Sequence, residues 1–212
     1  MLTKWLNLMV KKQKDATTQE RILEAARKVF IEKGMAGARM QDIADEAGIN
    51  KALLHYYFTS KDVLFEQIFQ QASARFIPHI NEVIESDASL LEKIEHICAD
   101  YVTLIMSKPF MPLFILNEVH KQPEAFLQRM WGGQKPKLNK LAEQIEQEVK
   151  KGTIKPIHPM HLFMNIMSLS IFPFLAKPML QYMSKLSDKA YWQLMEERKE
   201  LVSKFIIDSI RK

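Results

Sequence analysis

The chain has 212 residues, of which 47% are hydrophobic and 26% charged, and its formal net charge at pH 7 is +5. These ordinary globular values exclude a disordered chain, a collagen-like repeat and a disulfide scaffold. The one cysteine, Cys98, can form neither an internal disulfide nor a thiolate zinc site, which favours a reducing, cytoplasmic setting. Only six glycines occur, so we predict an all-α protein with few hairpins.

The longest apolar stretch, residues 162–176, is interrupted by Asn165 and Pro173 and is shorter than the roughly 18 residues that a membrane span needs. It therefore predicts a buried helix. We expect no membrane partner.

Residues 1–16 form a predicted basic N-terminal extension, because the first 14 residues carry four lysines and no acid. Such a segment is either a flexible arm that touches phosphates or a solvated tail. Thr17 and Glu20 have the spacing of a capping box, which predicts that the first helix begins there. Gly34 is its predicted C-terminal stop.

Two short predicted helices follow, at residues 40–47 and 51–57, joined by a turn that contains Gly48. This arrangement is typical of a helix-turn-helix motif, whose second helix lies in the DNA major groove. Helical periodicity directs Leu54 and Phe58 toward the core. The residues left facing outward are Lys51, Ala52, His55 and Tyr56.

Residues 18–68 resemble the N-terminal domain of the tetracycline-repressor family of bacterial transcription regulators. The resemblance rests on the order and spacing of three strings, TQERILEAARKVFIEKG, MQDIADEAGINKALLHYYF and TSKDVLFEQI. It implies an N-terminal three-helix helix-turn-helix DNA-binding domain at 17–68, and a larger helical ligand-binding and dimerisation domain at 69–212.

The same resemblance implies the residues that contact double-stranded operator DNA. Base edges are assigned to Lys51, Ala52 and His55, since lysine donates to guanine and alanine meets a thymine methyl group. The remaining predicted DNA contacts, which include the phosphate backbone, are Thr18, Arg39, Tyr56, Tyr57 and Lys61.

Three of these assignments carry alternatives. Arg39 stands where the family usually has threonine or serine, so a guanidinium contact replaces a hydroxyl contact. His55 stands where tyrosine is common, and a surface histidine without a DNA role remains open. Lys61 either binds a phosphate at the start of the fourth helix or is an ordinary solvated lysine.

The second domain is rich in aromatic residues and methionine, and the family resemblance implies an inducer cavity among its middle helices. Flat rings and adaptable methionines favour a small apolar or aromatic ligand. The alternative is that most of these residues simply form the core. The candidate ligand residues are Phe76, Tyr101, Phe110, Phe114, Met130, Trp131 and Met167.

Predicted helices at 159–177 and 189–211 end the chain, with a break between them at 178–187. The family uses its last long helices to form a homodimer, and the apolar spacing here suits a four-helix interface. An intramolecular core is the alternative. The candidate interface residues are Phe163, Ile166, Ser170, Tyr191, Met195, Val202, Phe205 and Ile206.

Motifs for enzyme chemistry are missing from the sequence, which has no GxSxG, HExxH, GxxxxGK[ST] or GxGxxG. His158 and His161 are three residues apart but have no nearby third ligand, so we predict no metal and no cofactor. The predicted function is a cytoplasmic, homodimeric repressor, released from a palindromic operator by a small-molecule inducer. The alternative is a helical adaptor whose second domain binds a protein partner and no small molecule.

Overall fold

The structure is a computed structural model that describes residues 2–121, 123–131 and 135–212. Side chains are described from Thr17 onward, apart from those at 117, 118, 121, 125, 129 and 130. The described residues form eleven helices and no strand, which confirms the all-α prediction. The helices are α1 (Leu2–Gly37), α2 (Met40–Glu46), α3 (Lys51–Tyr57), α4 (Lys61–Glu85), α5 (Leu90–Ser107), α6 (Met111–Lys121), α7 (Pro123–Trp131), α8 (Leu138–Lys151), α9 (Pro159–Leu175), α10 (Lys177–Ser184) and α11 (Asp188–Ile210).

The chain divides into two compact units, one that ends at Ala72 and one that spans Ser73–Lys212. The division falls four residues beyond the predicted boundary at 68. It lies within α4, so this helix contributes residues to both units.

α1 differs from its prediction, because it begins at Leu2 and passes through Thr17 without interruption. The capping-box prediction at Thr17 is therefore wrong, and the backbone of residues 2–16 is helical. The physical reason is that residues 2–16 contain no glycine or proline, so nothing in the sequence stops a helix before Thr17. The predicted stop is closer to the structure, since Gly34 kinks the helix with φ +66°.

The first unit has a core of side chains that recur at helical spacing along α1 and pack against α2, α3 and the start of α4. Phe30 and Phe65 meet edge to face, with ring centroids 5.6 Å apart. The most deeply buried members are Ile22, Ala26, Phe30, Ile43, Ala44, Leu54, Leu64 and Phe65. Their burial fixes which faces of α2 and α3 remain outside.

The second unit is organised around α5, which packs against α8, α9 and α11. Ile94 and Cys98 of α5 are fully buried with Leu162 of α9 and Val202 of α11. Burial raises the pKa of the Cys98 thiol to about 12, so this cysteine is a core residue without thiolate reactivity.

α10 occupies the segment that was predicted as a break. Pro178 lies in its first turn, where the missing N–H would have no helical partner, so proline does not oppose a helix there. Among the described residues, no single helix meets the length and hydropathy of a membrane span. α9 and α10 together meet them, but the two helices are bent by 67° relative to each other.

The C-terminal end of α4 is held by a buried lysine of α5. The Lys93 side chain is 4% exposed, and its Nζ donates to the Ile84 carbonyl at 2.8 Å and to Gln144 Oε1 at 2.9 Å. The last four carbonyls of a helix have no partner within it, so the ammonium satisfies one that would otherwise be buried alone. Through Gln144 the same group joins α4 and α5 to α8.

A second set of polar contacts fixes α4 to the start of α8. Asn81 donates to the Lys135 carbonyl at 3.2 Å and accepts from the Lys137 amide at 2.9 Å. The Glu85 carboxylate lies 2.5 Å from Lys137 Nζ and 2.6 Å from Lys140 Nζ. Hydrogen bonds from these two lysines lower the pKa of Glu85 to about 2. Together with the Lys93 contacts, these bonds form what we call the α4 clasp.

Candidate functional site

The turn between α2 and α3 is fixed by backbone geometry and by one arginine of α1. Gly48 has φ +63°, a conformation that side-chain-bearing residues rarely adopt. Its neighbour Ile49 donates to the Ala44 carbonyl at 3.0 Å. The Arg21 guanidinium donates to the Ala47 carbonyl at 2.7 Å and so caps the end of α2. α2 and α3 are thereby held as a helix-turn-helix pair.

α3 begins at a side-chain cap and presents one polar face to the outside. Asn50 Oδ1 accepts from the Leu53 amide at 2.7 Å, which satisfies one free donor of the first turn. Leu54 is fully buried and Phe58 is 2% exposed, as their spacing predicted. The exposed residues are those that the sequence placed outward, Lys51, Ala52, His55 and Tyr56.

The exposed face of α3 also contains one residue that the sequence reasoning missed. Leu53 is 37% exposed, so the face combines a cation, an imidazole and two apolar side chains. Tyr56 is 79% exposed and meets Tyr57 edge to face at 5.3 Å between ring centroids, while Tyr57 is half-buried. This pairing orients the Tyr56 hydroxyl without burying it.

Arg39 stands at the start of α2, where its exposed side chain adds positive charge to the positive end of the helix dipole. Its backbone amide donates to the Asp42 carboxylate at 3.0 Å, and Asp42 also pairs with Lys33 at 2.9 Å. The Lys33 hydrogen bond, followed by that of Arg39, lowers the pKa of Asp42. Thr18 is half-buried within α1.

Lys61 has a role that neither sequence interpretation included. Its Nζ donates to the carbonyls of Met35 at 2.8 Å and Ala38 at 3.2 Å, so it holds the connection between α1 and α2. The Lys61 side chain is half-buried, and these two carbonyls use two of its donors. An ammonium has three donors, so one N–H remains for a phosphate.

The predicted dimer interface needs correction. Six of its residues are 5% exposed or less within this chain and belong to its own core: Ile166, Ser170, Tyr191, Met195, Val202 and Ile206. The Tyr191 hydroxyl, for example, donates to the Pro173 carbonyl at 2.6 Å. Helical spacing revealed an apolar stripe but not what covers it, and in the structure α5 covers much of it. Phe163 is half-buried and Phe205 is 63% exposed.

A set of apolar side chains on the last two long helices is exposed. On α11 it contains Leu194, Leu201 and Phe205, which are 41%, 56% and 63% exposed and follow one another at steps of seven and four residues. On α9 it contains Met164 and Phe172, which are 45% and 54% exposed. We call these five residues the α9/α11 face.

The predicted ligand residues lie in several places rather than around one cavity. Phe76 and Tyr101 pack edge to face at 4.9 Å against the core. Phe110 and Phe114 are buried, whereas Trp131 and Met167 are half-buried. Met130 lies outside the described side chains. These contacts give four of the candidates a packing role.

A cavity of about 200 Å³ lies instead between α5, α8 and α9. None of the predicted ligand residues lines it, although Phe163 and Ile166 of the predicted interface do. Its lining is almost wholly apolar, with Glu146 and His158 as the ionisable members. Sequence reasoning missed it because its walls come from three helices far apart in the chain.

His158 and His161, the candidate metal pair, are exposed and stack edge to face at 6.0 Å. The His158 Nδ1 accepts from the Met160 amide at 3.2 Å and so caps α9. Within the described part of the chain, no group of three possible metal-ligating residues occurs.

Comparison with known proteins gives a consistent set of similarities. Residues 22–68 match the model of the tetR family of bacterial regulatory proteins. The chain is 29% identical over 148 residues, 68% of each chain, to the HTH-type transcriptional regulator RutR of Escherichia coli (strain K12).

Solved structures extend the similarity along most of the chain. The crystal structure of HlyIIR, a hemolysin II transcriptional regulator, has a TM-score of 0.62 and 25% identity, covering 93% of this chain and 98% of that one. The regulator FadR from Bacillus subtilis, in complex with stearoyl-CoA, has a TM-score of 0.58 and 19% identity, covering 87% and 97%. The second likeness is one of fold alone.

Proposed function

We propose that this chain, whose residues 22–68 match the model of the tetR family of bacterial regulatory proteins, is a transcription regulator of that family. We infer further that it is a homodimeric repressor, which leaves a palindromic operator when a small molecule binds its second unit. Because its partner is chromosomal DNA, we expect it to act in the cytoplasm.

The observation that carries the proposal is the exposed face of α3. Lys51 and His55 lie outward one helical turn apart, with Ala52 between them, while Leu54 anchors the opposite side in the core. A helix held this way enters the major groove with rigid side chains that reach base edges. Tyr56 then supplies a hydroxyl for the phosphate backbone.

Dimerisation through the α9/α11 face supports the same function. Monomeric proteins rarely expose large contiguous apolar patches, and a two-fold axis at this face would bring Phe205 of each copy into one interface. The dimer then contains two copies of α3, which we call the reading helices. If they lie about 34 Å apart, or a multiple of that distance, they match successive major grooves on one side of the duplex. Each copy raises the effective concentration of the other at its half-site.

Release of the operator by a ligand requires a small molecule that binds the second unit more tightly in one conformation of the protein than in another. The preferred conformation must be the one that does not fit the operator. FadR, which shares this fold, is a regulator whose structure contains an acyl-CoA. The apolar cavity between α5, α8 and α9 gives this chain a place for a ligand, which favours a small-molecule inducer over a protein partner.

The reading-helix assignment is tested on an operator selected from random-sequence duplexes by the purified protein. Lys51→Ala should weaken binding and relax the sequence preference at one position of each half-site, at a cost of ~1–3 kcal/mol. Tyr56→Phe should weaken binding to all sequences about equally. Lys150→Ala, a matched control at an exposed lysine of α8, should bind as the wild type does. If both α3 variants keep wild-type affinity and selectivity while folded and dimeric, α3 is not the reading helix.

A further inference from the structure

We propose that the cavity between α5, α8 and α9 binds a small molecule that combines one benzene-sized apolar ring with one cationic group. The lining residues, the volume and the charge of the cavity support it as a binding site. Its role as the effector site of the regulator rests on the proposed function.

The floor of the cavity is rigid and apolar. Its core members, all 5% exposed or less, are Leu90, Ile94, Leu141, Ile145, Leu162 and Ile166. These side chains belong to the main core cluster of the second unit, so their positions are set by packing on several sides. A concave surface with such a floor stays formed without a ligand and favours an apolar one.

The size of the cavity sets the size of the ligand. A protein cavity of about 150 Å³ with aliphatic and aromatic walls holds one benzene molecule. At about 200 Å³, this cavity has space for one six-membered ring and a substituent of one or two atoms. A long acyl chain is too large to be enclosed in it.

The charge of the ligand follows from the two ionisable residues of the lining. Glu146 makes no ion pair or hydrogen bond with any described residue, so its carboxylate is available to a ligand cation. His158 uses Nδ1 to accept the Met160 amide, which leaves Nε2 of the neutral ring as a donor. The carboxylate thus favours an ammonium group and disfavours an anion.

A second copy of the chain is the rival occupant, because Met160 and Phe163, which line the cavity, belong to the same helix as Met164 of the α9/α11 face. The five residues of that face are apolar, so they offer no cation to the Glu146 carboxylate if a second copy covers the cavity. Burial of an unpaired carboxylate is costly. The charge therefore favours a small cation over a second copy.

The cavity also lies beside the α4 clasp. Its wall residues Ile94 of α5 and Ile145 of α8 directly follow Lys93 and Gln144, whose side chains are joined by the 2.9 Å hydrogen bond. A ligand that separates α5 from α8 strains this bond. The same ammonium donates to the Ile84 carbonyl, so a ligand in the cavity also changes the contact that holds the C-terminal end of α4.

The test uses three probes of similar size, namely benzylamine, benzyl alcohol and benzoate, which carry a cation, no charge and an anion. Binding to the full-length protein is followed by the methyl NMR signals of Ile94, Ile145 and Met160. We expect benzylamine to shift these signals and to bind more tightly than benzyl alcohol, and benzoate to bind least. Glu146→Gln should weaken benzylamine binding about fivefold and leave benzyl alcohol within twofold.

A second pair of variants tests the location. Ala142→Phe places a ring in the cavity from α8 and should abolish binding of both benzylamine and benzyl alcohol. Asn139→Phe adds the same ring to an exposed position of α8 outside the cavity and should bind both as the wild type does.

Two outcomes overturn the site: benzylamine leaves the three methyl signals unshifted, or Ala142→Phe binds benzylamine as Asn139→Phe does. Equal affinity for benzylamine and benzoate overturns the assigned charge. These measurements need no DNA, so they are independent of the regulator role. If the protein binds benzylamine at the cavity but never binds a selected operator, the proposed function fails and the site stands.

Discussion

Replacement of Lys93 by methionine should destabilise the second unit because the ammonium is the partner of a buried helix-end carbonyl. Methionine keeps most of the apolar stem and removes only the charged donor, so the variant leaves little cavity. The Lys93 Nζ holds the Ile84 carbonyl at 2.8 Å and Gln144 Oε1 at 2.9 Å. The experiment therefore measures whether these two hydrogen bonds add more to the free energy of unfolding than the burial of the cation takes away.

The two acceptors lose different amounts. Ile84 is 3% exposed, and an unsatisfied buried polar group costs ~1–3 kcal/mol. Gln144 is half-buried, so water can replace the lost donor, and its Nε2 retains a bond to the Ala88 carbonyl at 3.3 Å. The sum is about 2 kcal/mol of lost unfolding free energy, which lowers the urea midpoint by about 1 M.

Urea unfolding followed by far-UV circular dichroism at fixed protein concentration provides the measurement. Lys150→Met is the matched control, because Lys150 is exposed on α8 and the same substitution there should change the unfolding free energy by less than ~0.5 kcal/mol. A Lys93→Met midpoint equal to or above that of the wild type would contradict this prediction, since it would mean that the hydrogen bonds do not outweigh the cost of burying the charge.

Phe205→Glu should give monomers in light scattering and lose tight operator binding, because a carboxylate would appear twice in an apolar two-fold interface; a dimer of normal affinity would contradict this. Asn50→Ala removes the acceptor of the Leu53 amide and should lower the free energy of unfolding in urea by about 1 kcal/mol. Unchanged stability would show that this helix cap does not stabilise the protein. For Glu85, the pKa falls on folding from 4.5 to about 2, so its stabilisation is complete above pH 4.5 and is lost as the pH falls through 2. Glu85→Gln should therefore be less stable than the wild type at neutral pH and converge with it near pH 2; a gap that stays constant over this range would contradict the pKa.

The helix-turn-helix pair α2 and α3 could be predicted closely because the features that determine it are local. α3 has the predicted bounds, since Asn50 caps its first turn and Leu54 and Phe58 show by their spacing which side is buried. Interactions within four or five residues decide both features. The exposure of Lys51 and His55 follows from them, whereas a contact between these residues and DNA bases does not.

The start of α1 shows the limit of local signals. Thr17 and Glu20 have capping-box spacing, yet the helix begins fifteen residues earlier, at Leu2. A cap makes a helix start favourable at one position, but it does not prevent the preceding chain from being helical. In the same way, Pro178 indicated a break but stands in the first turn of α10.

Local sequence patterns specify the helical class, the bounds of α3 and the apolar stripes on the last helices. Tertiary packing, in contrast, brings α5 over Val202 and Ile206 while Phe205 stays exposed, and it brings Lys93 to Gln144, 51 residues away. Periodicity defines the direction of a side chain around its own helix axis. What lies opposite that side chain depends on how helices distant in the chain pack together, which no local pattern contains.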